Sequence, residues 1–279
     1  MLSPWIHTTD NCNIHCSYCH VEGNNTMSSD VYQAILKMIP KESHIRIGGG
    51  EPLLVYDNWK DWILNYNRVE VLTNFRIIPN DYFKLPSYVY TSVSIDGYGC
   101  KPLDSEIIQN VSKLKNPWIM STIGNLDALP LLAYYISLHK YGWAISTDYY
   151  WNEDSSFDDL VLAMIEVIMI LKYNNYDFRN FIFNNLDFTG RGGCCAGREM
   201  ISIYCDGKIY PCQTMHNRMD PIGDVFKGSY NKVSKIINEK CNDCEIKNVC
   251  TGWCPLHHIP GNKICQLMKL ITQEVIYAK

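Results

Sequence analysis

The chain has 279 residues, 47% hydrophobic and 19% charged, enough apolar material for a packed core, which excludes wholesale disorder. Its formal net charge of −4 gives no support to a protein that works by neutralising phosphates, so long nucleic acid is not an expected partner. No stretch reaches the roughly 18 uninterrupted apolar residues of a membrane helix; residues 160–171 are short and interrupted by Glu166.

The elements alternate strand and helix in chain order. Residues 5–9 read as a first strand. Ser28 or Ser29 caps a helix running to about residue 38. Residues 44–47 form a second strand, followed at once by Gly48-Gly49-Gly50-Glu51-Pro52. A short helix precedes a third strand at 69–73, and residues 88–95 make a fourth. Residues 103–114 have helical period, 118–123 a fifth strand, 126–139 a helix, 143–148 a sixth strand and 157–171 a helix. Such β/α units imply a parallel sheet with right-handed crossovers and ligands at the C-terminal strand ends. Residues 174–193, rich in Asn and Gly, read as a bridge. Beyond them, 201–204 and 208–210 flank Asp206-Gly207 as a hairpin, and 229–239 and 263–276 read as helices. The expected division is a body over 1–180 and an end module over 181–279.

The opening residues Met1-Leu2-Ser3-Pro4-Trp5 lack a basic region followed by an apolar stretch, so the expected location is the cytoplasm, where thiols stay reduced. Thirteen cysteines in such a chain point to metal or redox chemistry rather than to disulfides. Cys12, Cys16 and Cys19 form a C-x3-C-x2-C group, residues 20–193 hold only Cys100, and the other nine lie between Cys194 and Cys265. Three thiolates can hold three irons of a four-iron cluster and leave the fourth open. Zinc is the alternative, with His15 or His20 as the fourth ligand. The three glycines at the end of the second strand let another group approach the backbone, and Glu51 can accept from an ammonium; a plain turn is the other reading.

A C-x3-C-x-Tyr-C motif after one strand and Gly-Gly-Glu-Pro after the next closely resemble the radical S-adenosylmethionine (SAM) superfamily. The resemblance implies a partial (β/α)6 TIM-type barrel. It implies that Cys12, Cys16 and Cys19 bind a [4Fe-4S] cluster whose open iron chelates the methionine part of SAM. Gly48, Gly49, Gly50 and Glu51 would then hold the ammonium, and Tyr18 would lie near the adenine. Thr73-Asn74 matches a Thr-Asn-Gly motif of the family, with Phe75 in place of the glycine. Ser94, in Ser94-Ile95-Asp96-Gly97, matches a serine near the SAM ribose or carboxylate, and Asp96 is counted with the cofactor residues. The arginine that often follows that serine is missing between residues 96 and 117, and Lys101 is a substitute without a bidentate fork.

The end module resembles the SPASM extension of these enzymes, a cysteine-rich domain with two auxiliary [4Fe-4S] clusters; a zinc ribbon is the alternative. By position, the second auxiliary cluster takes Cys241, Cys244, Cys250 and Cys265, and the first takes Cys195, Cys212 and Cys254. The fourth ligand of the first is open between Cys194 and none. Residues 191–279 carry 12 Lys/Arg against 8 Asp/Glu, a shell that would offset anionic clusters, though an ordinary solvated surface fits as well.

The function this implies is reductive cleavage of SAM and hydrogen abstraction from a substrate carbon. Oxidation, rearrangement, epimerisation or crosslinking of a peptide, small molecule or nucleobase would follow, with a flavodoxin- or ferredoxin-like electron donor. Three cysteines, Cys100, Cys194 and Cys205, lie outside the motifs. Cys100 after the fourth strand is a candidate hydrogen donor to a substrate radical, or an incidental cysteine. Tyr149, Tyr150 and Trp151 line the substrate space or the core. With Cys12 only twelve residues in, the leader-binding domain that many peptide-modifying members of the family carry is not expected. The rival class is an iron–sulfur or zinc-binding carrier or scaffold without catalysis.

Overall fold

The structure is a computed structural model that describes residues 2–146, 157–183, 186–187, 196–233, 243–250 and 261–276. Expectations on Tyr149, Tyr150, Trp151, Cys194, Cys195, Cys241 and Cys254 lie outside the described residues. In chain order the elements are β1 (Ser3–His7), α1 (Ser29–Met38), β2 (His44–Gly48), α2 (Tyr56–Trp59), β3 (Arg68–Thr73), β4 (Val89–Ser94), α3 (Ser105–Val111) and β5 (Trp118–Thr122). There follow α4 (Leu129–His139), β6 (Gly142–Ser146), α5 (Phe157–Tyr173), β7 (Phe181–Phe183), β8 (Leu186–Asp187), β9 (Met200–Ile203), β10 (Lys208–Tyr210), β11 (Gly223–Asp224), β12 (Ser229–Tyr230) and α6 (Gly261–Ile276).

These form two compact units that interleave along the chain, where the sequence suggests a single border near residue 180. One comprises Met1–Val93, Gln109–Lys115 and Cys195–Lys235; the other comprises Ser94–Ile108, Asn116–Cys194 and Ile236–Lys279. In the first unit β1, β2, β3 and β4 run parallel in that order. On the other side of β1 lies β9, also parallel, followed by antiparallel β10, β11 and β12. Period-two alternation sorts the strands. Ile6, Ile45, Ile47, Val69, Val71 and Val93 are fully buried, as are Ile35 of α1 and Trp59 of α2. The opposite face is polar. Arg46, Glu70 and Tyr90 stand side by side across β2, β3 and β4; Glu70 forms an ion pair with Arg46, whose Nε is 3.1 Å away, and accepts from Ser92 Oγ at 2.6 Å. Ser28 takes the N-cap position of α1 in extended conformation without a side-chain cap bond, while Asp30 and Lys37 complement the helix dipole.

In the second unit β5, β6 and β7 are parallel and β8 returns antiparallel to β7. Helices α4 and α5 pack on one another, as do α5 and α6. The expected bridge at 174–193 is therefore partly regular, because Phe181 and Phe183 bury fully as β7 extends the sheet beside β6. The expected helix at 126–139 begins as a 3₁₀ turn capped by the Asn125 side chain, and the α-helix proper starts at Leu129 with a proline in its first turn. The expected helix at 229–239 is corrected over its described part. Gly228, at φ +67°, turns the chain back, and Tyr230 pairs with Gly223 as β12. Among the described residues no helix is long and apolar enough to cross a membrane.

Candidate functional site

The first unit brings three sets of predicted residues to the C-terminal ends of β1, β2 and β3. The loop after β1 carries Cys12, Cys16 and Cys19 and is closed at its base. Asp10 N donates to Asn25 O at 2.8 Å, Met27 N to Thr8 O at 2.8 Å, and Thr9 Oγ1 to Asn25 O at 3.0 Å. Cys19 N donates to Cys16 O, a turn that folds the second and third cysteines together. Cys12 and Cys16 are half-buried and Cys19 is exposed. Burial pushes the Cys12 thiol up, and the charges of Glu51 and Cys19 add to the rise. Thiolates that oppose each other in a half-buried loop are the donor set a bound cation stabilises. Tyr18 lies half-buried on this loop.

The glycine loop after β2 meets this cysteine loop backbone to backbone. Gly50 N donates to Thr9 O at 2.7 Å, Glu51 N to Asn11 O at 2.8 Å, and Thr8 N to Gly48 O at 2.9 Å. A Cβ on Gly49, which sits at φ +138°, would lie 2.4 Å from Thr9 O. On Gly50 it would lie 2.3 Å from Asn11 O, and on Gly48 2.3 Å from the Trp5 indole. The group that Gly49 and Gly50 admit is thus the protein's own cysteine loop, while Gly48 makes room for Trp5 of β1.

Glu51 is fully buried and turned inward. Its Oε1 accepts from Leu53 N at 3.0 Å and Thr73 Oγ1 at 2.7 Å, and its Oε2 from Asn74 N at 2.7 Å. The carboxylate ties the glycine loop to the end of β3. Asn74, so held, points its amide at the cysteine loop, with Nδ2 2.8 Å from Asn13 Oδ1 and 3.8 Å from Cys12 Sγ. Phe75 takes the left-handed conformation, φ 57°, that a glycine would adopt freely, and it is fully buried with its ring edge-on to Tyr82 and Phe83. The left-handed strain is about 1–2 kcal/mol, smaller than the about 3–5 kcal/mol typical of emptying a buried Phe site. Phe75→Gly is therefore expected to destabilise the chain less than Phe75→Ala, the reverse of the usual order, as urea titration of both variants will read.

Most of the remaining predicted residues lie in the second unit. Ser94 ends β4. Asp96 is buried, its Oδ1 accepts from Thr122 N at 2.8 Å, and Lys101 Nζ stands 3.9 Å from its Oδ2. The proposed substitute cation therefore has a carboxylate of its own. Cys100 is exposed in the turn bounded by the Tyr98–Lys101 bridge. Three cysteines of the end module gather around α6. Cys250 Sγ lies 3.8 Å from Met268 Sδ, one turn after Cys265. Lys269, which pairs with Glu245 at 3.0 Å, is raised first by that carboxylate and further by Cys244 and Cys265. In the first unit Cys212 follows β10, with its sulfur 3.2 Å from Thr214 Oγ1.

Sequence reasoning missed a cluster beneath the cysteine loop. His7, the last residue of β1, stacks on Tyr204 (4.3 Å between centroids), and Tyr204 stacks on His216 at 3.8 Å. His7 Nε2 is 2.8 Å from Asp10 Oδ1, and Cys205 Sγ is 3.2 Å from His7 O. Only the pairing of β9 with β1 reveals this, across nearly two hundred residues of chain.

No protein-family model matches the chain. It is 21% identical, over 81% of its length and 85% of the relative, to a probable GTP 3',8-cyclase of Sulfurisphaera tokodaii. Among solved structures it is similar to native anSMEcpe with bound AdoMet (TM-score 0.70, 16% identity, 99% of this chain and 97% of that one). It is also similar to Streptococcus suis SuiB bound to the precursor peptide SuiA (TM-score 0.60, 16% identity, 91% and 71%). These solved structures are radical SAM enzymes, and the chain shares with them the unclosed, mostly parallel α/β fold of a partial TIM barrel that its motifs lead one to expect.

Proposed function

We propose that the chain is a radical SAM enzyme that abstracts hydrogen from a peptide substrate. The observation that carries this reading is the direct hydrogen bonding of the Cys12–Cys19 loop to the Gly48–Glu51 loop, with the Asn74 amide set against Cys12 from the next strand. A carrier of electrons needs neither an open iron nor a glycine cradle locked to the cysteine loop. When bound, a [4Fe-4S] cluster with SAM supplies a 5′-deoxyadenosyl radical that removes a hydrogen atom from carbon. Cys12, Cys16 and Cys19 would hold the cluster. Gly48, Gly49 and Gly50 set the position of the cysteine loop and offer backbone groups to the methionine portion of SAM. Glu51 positions Asn74 through the Asn74 N–H. Tyr18, Ser94 and Asp96 are assigned to the cofactor side of the site.

The gathering of Cys244, Cys250 and Cys265 around α6 supports one auxiliary cluster, with Cys241 as its fourth ligand. Cys195, Cys212 and Cys254 are assigned to another. A low-potential flavodoxin- or ferredoxin-like donor would reduce the first cluster. A peptide substrate is favoured by the likeness, over 99% of this chain, to anSMEcpe with bound AdoMet and Cp18Cys peptide. A nucleotide is the second reading, favoured by the relative named as a GTP 3',8-cyclase. Cys100 is assigned as a hydrogen donor to the substrate radical.

The test is anaerobic reconstitution followed by SAM and dithionite. About twelve irons per chain and 5′-deoxyadenosine are expected, with Cys16→Ala abolishing the latter. Transfer of deuterium into 5′-deoxyadenosine from a labelled peptide, and not from labelled GTP, would decide the substrate class. Iron without any 5′-deoxyadenosine would return the chain to the carrier class.

A further inference from the structure

His7, Asp10 and Cys205 belong to none of the three cysteine groups, yet they converge. Their donor atoms lie within 4.8 Å of one another. They come from three places in the first unit: the end of β1, the base of the cysteine loop and the turn after β9. His7 is 2% exposed, the Asp10 side chain 6%, and Cys205 is half-buried. Each donor is already oriented. Asp10 Oδ2 accepts from Asn25 N at 3.1 Å and Asn25 Nδ2 at 2.8 Å, which leaves Oδ1 facing His7. The His7 ring is clamped by Tyr204, 16° from coplanar. Burial pushes the Cys205 thiol up to about 12, with the charges of Asp10 and Asp206 adding to the rise. The thiol is therefore inert until something replaces its proton.

We propose that these three residues form a mononuclear zinc site that staples the β9–β10 hairpin to the foot of the cysteine loop. A nitrogen, an oxygen and a sulfur donor in one buried cluster suit borderline Zn²⁺, with water completing four ligands. Zinc bonds of about 2.0–2.3 Å place tetrahedral donors about 3.3–3.6 Å apart. The His7–Asp10 pair, now 2.8 Å apart, has to open by about half an ångström. The sulfur, within 4.8 Å of both, has to move in. A histidine–aspartate pair alone has no need of a thiol from a turn that arrives so late in the chain. Binding displaces the Cys205 proton to solvent, and no electron is transferred. The ion would close a loop of nearly two hundred residues, where a cross-link removes the most chain entropy.

The experiment uses the full chain, reconstituted with iron and sulfide so that the cluster cysteines are occupied, then given one equivalent of Zn²⁺ and desalted. One zinc per chain is expected, with a zinc-edge X-ray absorption shell of one sulfur near about 2.3 Å and the rest nitrogen and oxygen. Cys205→Ser is expected to keep its iron, lose the sulfur from that shell and bind zinc at least tenfold more weakly. Asp10→Asn is expected to lose zinc in the same way and serves if the first variant does not fold. No retained zinc, a shell of three or four sulfurs, or an unchanged shell in Cys205→Ser would each overturn the proposal. None of these outcomes depends on SAM cleavage, so the site stands or falls separately from the proposed activity.

Discussion

Gly50→Ala is expected to lose about four irons per chain and to lower 5′-deoxyadenosine formation at least 100-fold, while the rest of the fold survives. The added Cβ would sit 2.3 Å from Asn11 O and 2.5 Å from Asp10 O. Both are backbone atoms of the cysteine loop, so no side chain can swing away. The same backbone is fixed by the bonds from Gly50 N to Thr9 O and from Glu51 N to Asn11 O. Relief requires the cysteine loop to lift off the glycine loop, which breaks both bonds and displaces Cys12. The control is Gly228→Ala. Gly228 sits at φ +67°, a backbone demand that Gly50 does not carry, but has open space around a Cβ, so the cost should be about 1 kcal/mol with full iron retained. Iron analysis and a melting curve on the two variants separate a blocked approach from a merely strained glycine. Equal iron in both would count against the cradle.

Glu51→Ala is expected to cost about 3–5 kcal/mol and to abolish SAM cleavage. The fully buried carboxylate is the shared acceptor for Leu53 N, Thr73 Oγ1 and Asn74 N. Removing it orphans buried donors at about 1–3 kcal/mol each, reduced where the Thr73 hydroxyl can turn elsewhere. Glu51→Gln keeps the shape and one acceptor but aims an amide N–H at a donor. It should fall between wild type and alanine in stability. Urea unfolding gives the ranking. A Glu51→Gln chain as impaired in folding as Glu51→Ala would mean that charge, not hydrogen-bond geometry, holds this junction.

The parts of the site that were legible in the sequence are those written in short-range pattern. The spacing of Cys12, Cys16 and Cys19 and the Gly48–Pro52 run are local, and strand periodicity placed both at C-terminal strand ends. Glu51 was legible as a residue but not as a role. Its partners Thr73 and Asn74 lie on the next strand, and nothing local says that the carboxylate turns inward rather than toward a ligand. Phe75 hid its backbone conformation, because the usual flags for left-handed φ are glycine and asparagine. Residues 229–239 carried apolar residues at helical spacing, yet a left-handed Gly228 and pairing with Gly223 decided the described part. Cys205 reads as a leftover because its neighbours, His7 and Asp10, lie nearly two hundred residues away in sequence.

The pairing of β1 with β9 also fixes an order of events during synthesis. Ser3 pairs with Met200, so one edge of the first strand waits for nearly two hundred further residues before it is covered. At translation rates of about 5–20 residues per second that wait is about 10–40 s. Throughout it, β1 offers an unpaired ladder of backbone groups to any passing strand, the state in which sheets aggregate. The cysteine loop hangs from that same strand. A nascent chain whose hairpin at 200–210 has not yet docked leaves its most adhesive edge open beside the Cys12–Cys19 loop, and the arrival of β9 ends that hazard by pairing the edge.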